Sequence, residues 1–497
     1  MTTPPKKKSI FASALIVVAM RWTDRLIGLL STLILARILT PADFGIIAMA
    51  SVLVGLVDVL LDLGVNMALI QNRNADDDDY NTAWTIRLIQ ATAVTIIIFL
   101  LAPLAADYYR DPRVCDVTRL MALGMFIGGF ENIGIVNFQK NMDFSRDFRF
   151  FFIRRLAGFL VTVTLAIQLE SYWAMPLGAL AGRTTGVVLS YIMHPFRPRF
   201  SLSRFAKLWS FSQWALLRSI GIYFETQFDR FLVGRLSDAS TVGAYTLADE
   251  ISAMPSTELL QPLGRVLFPA FVAAKHDAQR LRDAYLLALA VQTMLAIPAG
   301  VGLASVADRA VLVLLGEQWL AAIPFVQTLA LVFSLGAISH AAGYLLVTIG
   351  KIRTLGIFIW VQNILFLVVA GLIFSWAGAI DIARIRLVVA AVGLIFFMAV
   401  ILHEVRELRL ADLIRVAWRP VAAAASMATI DLLVTPPDTL PLMLAFLLEV
   451  LLGALSYTTI LLGLWYASGR PYGAEAYILS KLKLGRFLQP VQRNDAP

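Results

Sequence analysis

The 497-residue sequence has few of the residues that soluble proteins and many enzymes depend on. Charged residues make up 15% of the chain, whereas roughly 25% is ordinary in a soluble domain. A single cysteine, Cys115, is present, which excludes an intrachain disulfide and a cluster of cysteine metal ligands. The sequence also lacks a GxxxxGK[ST] pattern, so a P-loop ATPase is not expected. These shortages exclude a secreted disulfide-bonded protein.

Apolar residues, by contrast, make up 59% of the chain, and the mean hydropathy is +0.75. This excess excludes a cytosolic enzyme and a disordered scaffold, because a soluble surface must be largely polar. Apolar runs recur along the chain, and about 20 apolar residues suffice to cross a bilayer. The sequence predicts an all-α integral membrane protein with about fourteen transmembrane helices, near residues 11–36, 44–70, 81–103, 114–137, 148–168, 172–193, 207–234, 241–271, 284–304, 319–349, 354–376, 382–402, 416–434 and 441–467.

The distribution of basic residues predicts the orientation of these helices. The chain has 42 Lys and Arg against 34 Asp and Glu, a net charge of +8. If the amino terminus is cytoplasmic, most basic residues fall on the cytoplasmic side, as the positive-inside rule requires. We therefore expect a multi-pass protein with both termini in the cytoplasm. The basic groups assigned to that side include Arg146, Arg149, Arg154, Arg155, Arg197, Arg199, Arg204 and Lys207.

Two weak sequence matches indicate an internal repeat. LILARILTPADFG (residues 33–45) resembles FLVGRLSDASTVG (231–243), and VTRLMAL (117–123) resembles FVQTLAL (325–331) at a similar shift. Because six predicted helices precede the second copy, the copies would be parallel repeats, as in alternating-access transporters. The predicted organisation is a six-helix bundle (1–200), a second six-helix bundle (201–405), an extra helix pair (406–467) and a cytoplasmic tail (468–497).

Arginines inside the predicted helices are the strongest functional signal. A charge facing lipid at mid-membrane costs about 2.5–3.5 kcal/mol, so most of them must line a water-filled cavity or pair with an acidic residue. Snorkelling to the membrane surface and structural salt bridges remain open alternatives, particularly for Arg119 and Arg183. The eight residues are Arg21, Arg25, Arg87, Arg119, Arg183, Arg218, Arg230 and Arg265.

Helical spacing gathers several of these charges into polar faces, because residues three or four apart share one side of a helix. We therefore predict a polar cavity between the two halves, while the last four helices carry almost no internal charge. The candidate substrate-binding residues are Arg21, Asp24, Arg25, Arg87, Arg218, Glu225, Asp229, Arg230 and Arg265. The ion-coupling candidates are Asp58, Asp62 and Glu258.

The acidic run Asp76–Asp79 follows the second predicted helix. Paired carboxylates could hold a metal and a nucleotide-sugar in a glycosyltransferase. Since the sequence has no room for an accompanying soluble domain, we interpret the run as a solvated cytoplasmic loop.

Several longer motifs resemble one protein family. They are LARILTPADFGIIAMA (35–50), LDLGVNMALIQ (61–71), YYRDPRV (108–114), FQKNMDF (138–144), LFPAF (267–271) and GEQWLAAIPFVQTLAL (316–331). Together they resemble bacterial Wzx-type polysaccharide flippases of the multidrug/oligosaccharidyl-lipid/polysaccharide (MOP) exporter superfamily. The resemblance extends to about residue 467.

This resemblance implies two six-helix bundles plus two further helices in the bacterial inner membrane. It implies a transporter, not an enzyme, without a cofactor. The expected activity is movement of a polyprenyl-pyrophosphate-linked oligosaccharide to the periplasmic leaflet for exopolysaccharide, capsule or O-antigen assembly. The other expected partners are membrane lipids and the polysaccharide polymerase and glycosyltransferases of the same pathway. Nucleic acid is not an expected partner.

Two alternatives stay open at the level of sequence. One is a drug or metabolite exporter of the same superfamily that is coupled to protons or sodium. The other is an integral-membrane glycosyltransferase or ligase, which would need large external loops. The loops between the predicted helices are short, and this disfavours the second alternative.

Overall fold

A computed structural model of the chain describes residues 10–61, 64–72, 74–260, 263–437, 439–471 and 473–481. Side chains are described throughout these ranges, apart from residues 10–18, 66–67, 71, 206–218, 259, 265, 478 and 480–481. Every regular element in these ranges is helical, as the sequence predicts. The α-helices are α1 (Ile10–Ile38), α2 (Pro41–Leu61), α3 (Val65–Gln71), α4 (Asp77–Tyr109), α5 (Arg113–Gly129), α6 (Val136–Lys140), α7 (Phe144–Leu169), α8 (Ala174–Met193), α9 (Phe205–Leu236), α10 (Ala239–Pro255), α11 (Gly264–Ala274), α12 (Ala278–Ser305), α13 (Ala307–Leu314), α14 (Ile323–Thr348), α15 (Ile352–Ile373), α16 (Ala379–Glu404), α17 (Leu410–Leu433), α18 (Leu442–Ala467) and α19 (Ala474–Lys481).

Within the described ranges, three short segments of other helix types interrupt this series. Residues Ile133–Ile135 and Glu317–Ala322 form 3₁₀ turns, and Ser256–Leu260 form a π-helical turn directly after Pro255. Pro255 accounts for the irregularity at the π turn, because proline cannot donate the backbone hydrogen bond that an α-helix needs.

The chain is a multi-pass membrane protein. Eight helices in the described ranges are long and apolar enough to cross a bilayer, and the pair Arg113–Gly129 and Ile133–Lys140, bent by 71°, would make nine as one span. Large apolar side chains such as Leu100, Leu372 and Leu432 are more than 70% exposed. Lipid would cover such side chains without the cost of contact with water. The helices overlap each of the fourteen predicted segments, and the number that crosses the membrane stays a prediction.

The acidic run at residues 76–79 does not form the predicted loop. Asp77–Asp79 occupy the first turn of α4, and Asp79 is buried. The Asp76 carboxylate accepts a hydrogen bond from the Asp79 backbone N–H at 2.9 Å, while the Asp79 carboxylate accepts one from the Asp76 N–H at 3.2 Å. The interpretation as a loop was wrong, because carboxylates favour the amino-terminal turn, where they bind free N–H groups and oppose the helix dipole.

The motif that repeats at residues 33–45 and 231–243 begins a helix in both copies. At the start of α2, the Thr40 N–H donates to the Asp43 carboxylate at 2.8 Å. At the start of α10, the Thr241 N–H donates to the Asp238 carboxylate at 2.9 Å. In each copy a threonine and an aspartate therefore cap the helix. The threonine comes first in the first copy, and the aspartate comes first in the second.

The glycine that ends each copy lies against the other copy. A Cβ atom on Gly45 would overlap the backbone of Ala239, and one on Gly243 would overlap the backbone of Pro41. Glycine is needed at both positions because the two helix starts approach each other at backbone distance. The contact is reciprocal, because each glycine faces the backbone at the start of the other helix.

Glycines also bring α7 and α8 together. Gly178, Gly182 and Gly186 recur every fourth residue on α8 and face α7. A Cβ atom on Gly182 would lie 3.3 Å from the Cα of Gly158, and one on Gly186 would lie 2.9 Å from the Arg154 Cδ. Such a face of small residues lets two membrane helices pack closely through their backbones. It also fixes the position of Arg154.

The described chain divides into two compact units, Met1–Gly243 and Ala244–Pro497. The first unit includes α9, which the sequence analysis assigns to the second bundle, and α9 packs against α2, α3 and α4. In the second unit, α12 packs against α14 and α17, and α17 packs against α18. The predicted six-helix bundles with a boundary near residue 200 stay a prediction.

The basic segment between α8 and α9 is bound along the start of α4. The Arg199 N–H donates to the Asn81 side-chain oxygen at 2.7 Å, and the Ser201 N–H donates to the Thr85 hydroxyl at 3.0 Å. At its beginning, burial and two nearby arginines lower the pKa of His194. The His194 Nδ1 accepts a hydrogen bond from the Phe196 N–H at 3.2 Å.

Candidate functional site

A buried carboxylate at the end of α5 joins two arginines from other helices of the first unit. The Glu131 side chain is 7% exposed. Its Oε1 lies 3.4 Å from Arg87 Nη2 on α4, and its Oε2 lies 3.2 Å from Arg154 Nη1 on α7. The two guanidinium groups are only partly covered, since the Arg87 and Arg154 side chains are 27% and 39% exposed. Glu131 thus orients two guanidinium groups, and part of each arginine side chain stays exposed.

Arg183 on α8 adds a third guanidinium group to this cluster. Its side chain runs past the glycine face of α5, where Cβ atoms on Gly124 and Gly128 would lie 3.4 Å and 3.9 Å from it. Glu131, Asp58, Arg154 and Arg87 all act on it electrostatically. Among the described residues, no carboxylate lies within ion-pairing distance of Arg183.

These residues form what we call the first-unit arginine cluster: Arg87, Arg154 and Arg183 with the carboxylates Glu131 and Asp58. Each arginine lies about ten residues from one end of its helix, or about 15 Å at 1.5 Å per residue. If both carboxylates are ionised, three positive charges face two negative ones. The surplus guanidinium could bind an anion, since its planar fork matches two phosphate oxygens.

The predicted polar face of α1 lies against α7. Asp24 Oδ1 lies 3.2 Å from Arg155 Nε, and Arg155 also passes beside Gly28, one turn further along α1. Arg21 and Arg25 lie on α1 within one turn of Asp24, and both make contacts of their own. Asp24 is therefore bound by α7, which the sequence did not indicate.

On α9, the sequence-predicted residues Glu225, Asp229 and Arg230 are in place on one helix. Asp229 is 3% exposed, and its Oδ1 accepts a hydrogen bond from the Arg230 backbone N–H at 2.8 Å. The Arg230 guanidinium donates to the Gln227 side-chain oxygen at 3.2 Å. Nearby, the Tyr223 hydroxyl donates to the Val52 carbonyl of α2.

Five further predicted residues are described only in part or lie in other surroundings. The side chains of Arg218 on α9 and Arg265 on α11, and all of Asp62, lie outside the described residues. Asp58 on α2 acts on Arg183, as described above. Glu258 lies in the π-helical turn of the second unit, where its Oε1 accepts from the Thr257 hydroxyl at 3.2 Å.

Sequence reasoning missed the charges in the last three long helices. It expected almost none there, yet α16, α17 and α18 hold charged side chains with partners on other elements. Arg386 lies 2.8 Å from Asp249, and Arg419 lies 3.1 Å from Glu475 of α19. The expectation was wrong already at the level of the sequence, since Arg386, Arg419 and Glu449 lie inside the predicted helices. Only their partners could not be predicted. The buried charged residues of these pairs and helices are Asp249, Arg419, Asp431, Glu449 and Glu475, and Arg386 is half-buried.

The sequence analysis counts Arg154 among the cytoplasmic basic residues. In the structure it lies in the third turn of α7 and contacts buried Glu131, and its side of the membrane stays a prediction. Within the described ranges, no group of three or more His, Cys, Asp or Glu side chains is placed to hold a metal ion.

Comparison with known proteins identifies the family. The sequence profile of a family described as "Polysaccharide biosynthesis protein" matches residues 34–324, more than half of the chain. The chain belongs to this family. Its predicted membership among Wzx-like proteins of polysaccharide biosynthesis is thereby confirmed.

Individual relatives agree with the family match. The chain is 26% identical over 402 residues to the lipopolysaccharide biosynthesis protein WzxC of Escherichia coli K12, covering 79% of this chain and 81% of WzxC. It is 28% identical over 302 residues to the succinoglycan biosynthesis transport protein ExoT of Rhizobium meliloti 1021, covering 60% and 61% of the two chains.

Solved structures show the same fold. The lipid II flippase MurJ in an inward closed conformation superposes with a TM-score of 0.74 at 12% identity, over 91% of this chain and 99% of MurJ. An inward-facing MATE-family multidrug transporter of the MOP superfamily superposes with a TM-score of 0.58 at 16% identity, over 76% and 94% of the two chains. The fold is therefore that of MurJ and the MATE transporters.

Proposed function

We propose that this protein is a flippase of the bacterial inner membrane. It moves a polyprenyl-pyrophosphate-linked oligosaccharide from the cytoplasmic to the periplasmic leaflet for exopolysaccharide, capsule or O-antigen biosynthesis. The family match, the names of WzxC and ExoT, and the fold shared with a lipid II flippase support this proposal. The protein is a transporter without catalytic residues or a cofactor, and both termini are cytoplasmic.

The first-unit arginine cluster carries the proposal. A lipid-linked pyrophosphate is an anion that must leave water during its crossing, and an uncompensated charge is costly in a medium of low dielectric. Arg183 supplies a guanidinium group that has no carboxylate of the described residues within ion-pairing distance, and Arg87 and Arg154 present partly open guanidinium groups beside it. Bidentate contacts from this cluster would compensate the pyrophosphate inside the membrane.

The other sequence-predicted polar residues belong to the same proposal. Arg21, Arg25 and Arg218 would line a polar cavity between two six-helix bundles within a fourteen-helix protein, and the polyprenyl tail would stay in lipid. Alternating access would then expose the headgroup to each side in turn. Asp58, Asp62 and Glu258 stay candidates for coupling transport to a cation. A polymerase and glycosyltransferases of the pathway would supply and consume the substrate.

An exporter of drugs or metabolites is the second candidate function. The observation that favours it is the fold shared with a MATE-family multidrug transporter. The surplus of guanidinium groups in the first-unit arginine cluster disfavours it for cationic compounds, because like charges repel. The two functions predict different phenotypes for the same variants.

Replacing Arg183 tests the proposal. Arg183→Ala should cause lipid-linked oligosaccharide to accumulate on the cytoplasmic leaflet of the producing strain. Losing one charge-assisted contact costs about 1.5–3 kcal/mol, or about tenfold to hundredfold in export rate. Arg183→Lys should rescue partly, since it keeps the charge and loses the fork. The readout is surface polysaccharide together with leaflet-resolved analysis of the lipid-linked precursor.

Arg384→Ala is the matched control, because the Arg384 side chain is 66% exposed and lies at the start of α16 in the second unit. It should express and export normally. If Arg183→Ala expresses at the level of the control and exports at the normal rate, Arg183 does not bind the substrate. Loss of resistance to cationic compounds, with polysaccharide unchanged, would favour the drug exporter.

A further inference from the structure

Three charged side chains lie together in the second unit, at the end of the helix pair α17–α18 where the two helices are joined. Arg309 on α13 donates to the Glu449 carboxylate on α18 and to the Pro436 carbonyl at 3.1 Å. Glu449 is 8% exposed. The positive charge of Arg309 is therefore directed at Glu449 and at the loop between α17 and α18.

Asp431 lies close to this ion pair without sharing it. Its side chain is 8% exposed, and its Oδ1 is buried without a hydrogen-bond partner among the described residues. Its carboxylate oxygens lie 3.4 Å and 3.5 Å from the place that a Cβ atom on Gly453 would occupy. Gly453 is one turn after Glu449 on α18. Asp431 thus faces α18 beside Glu449 and acts on it electrostatically.

The charges around Asp431 favour its neutral form. Glu449 and Asp308 are acidic, and Arg309, the basic member of the cluster, already binds Glu449. The Tyr457 hydroxyl on α18 donates to the Met294 carbonyl of α12. The part of α12 from residue 286 to 305, which faces α17, contains no ionisable side chain. An ionised Asp431 would therefore be a buried carboxylate beside another acid without a compensating donor, which is strongly unfavourable.

We propose that Asp431 binds a proton while α17 and α18 are packed together, so that Asp431, Glu449 and Arg309 form a proton-binding site. Asp431 lies two residues before the end of α17. Separation of α17 from α18 would hydrate the carboxylate and release its proton. Binding of the proton is thereby linked to the contact between these two helices. The inference does not depend on the identity of the transported substrate.

Infrared spectroscopy of the purified full-length protein, as the difference between the spectra of wild type and variants, tests the site. Near neutral pH, the wild type should show the carbonyl stretching band of a protonated carboxylic acid that lacks a hydrogen bond. Asp431→Asn should abolish this band, because the amide keeps the shape of the neutral acid and cannot ionise. The variant should fold, since it replaces the proposed protonated group by a neutral group of nearly the same size.

Asp381→Asn is the matched control, because Asp381 begins α16, is 36% exposed and pairs with Arg384. The control should keep the band. A band of unchanged intensity in Asp431→Asn would overturn the proposal, and so would a band that disappears only in Glu449→Gln. A second readout is the midpoint of thermal unfolding between about pH 6 and pH 8. If the site holds its proton only in the folded protein, the wild type should become less stable as pH rises. Asp431→Asn should remove that dependence, and Asp381→Asn should retain it.

Discussion

Glu131 determines the electrostatic balance of the first-unit arginine cluster. It is the buried partner of both Arg87 and Arg154, while Arg183 lies beyond ion-pairing distance of it. Without Glu131, three guanidinium groups would repel one another in a partly buried site. The same carboxylate that holds two arginines therefore also limits how much positive charge the site presents to an anion.

Glu131→Gln should destabilise the protein. Removing one partner from a buried ion pair costs about 3–5 kcal/mol. We expect a smaller loss of about 1–3 kcal/mol, because Arg154 is more than a third exposed and solvent screens its charge. The measurement is the midpoint of thermal unfolding in detergent. Asp283→Asn, which removes a 60% exposed carboxylate, should leave the midpoint unchanged. Equal midpoints for Glu131→Gln and wild type would contradict this role of Glu131.

At the scale of helices, the reciprocal contact of Gly45 and Gly243 holds the starts of α2 and α10 together. Each glycine faces the backbone of the other copy of the repeated motif. The threonine and aspartate of each copy cap the same two helix starts. Helix capping and close packing thus explain the sequence motif that repeats at residues 33–45 and 231–243.

Alanine substitution distinguishes this contact from an ordinary helical glycine. Gly45→Ala should destabilise the protein by about 1–3 kcal/mol, because the new methyl group meets the Ala239 backbone, which has no room to shift. Gly336→Ala on α14 should stabilise it by about 0.5–1 kcal/mol, since a Cβ atom there meets open space and alanine favours the helix. The midpoints of thermal unfolding should therefore move in opposite directions. A Gly45→Ala midpoint at or above that of wild type would exclude the close contact.

The helices themselves could be predicted, whereas their charge partners could not. Apolar runs fix where helices form, because lipid admits backbone only when its hydrogen bonds are satisfied internally. The pairs Arg309–Glu449 and Arg386–Asp249 join helices more than 130 residues apart in sequence, and no periodicity within one helix reports such a contact. The spacing on α1 predicts a polar face, but it could not show that Arg155 of α7 binds Asp24.

At the scale of the whole molecule, the basic residues predict which side of the membrane each loop occupies. The segment that binds along the start of α4 contains Arg197, Arg199 and Arg204. The turn after α4 contains Arg110 and lies at the opposite end of that 33-residue helix. The positive-inside rule places the first segment in the cytoplasm and the second in the periplasm.

Labelling of single cysteines tests this topology. In a variant with Cys115 replaced, Arg199→Cys should resist an impermeant thiol reagent in intact cells, and Arg110→Cys should react. Both side chains are exposed, so a lack of reaction reports the membrane barrier and not burial. After permeabilisation, both should react. The reverse pattern in intact cells would invert the orientation.

The position of α9 in the first unit has a consequence for biosynthesis. A ribosome releases α2, α3 and α4 well before α9, which packs against all three. Until then, the face of α2 at Gly55, which the Tyr223 ring covers, lacks its partner helix. Synthesis proceeds from the amino terminus, so the first unit cannot close when the nascent chain reaches residue 200. It closes only after the basic segment and α9 have also been synthesised.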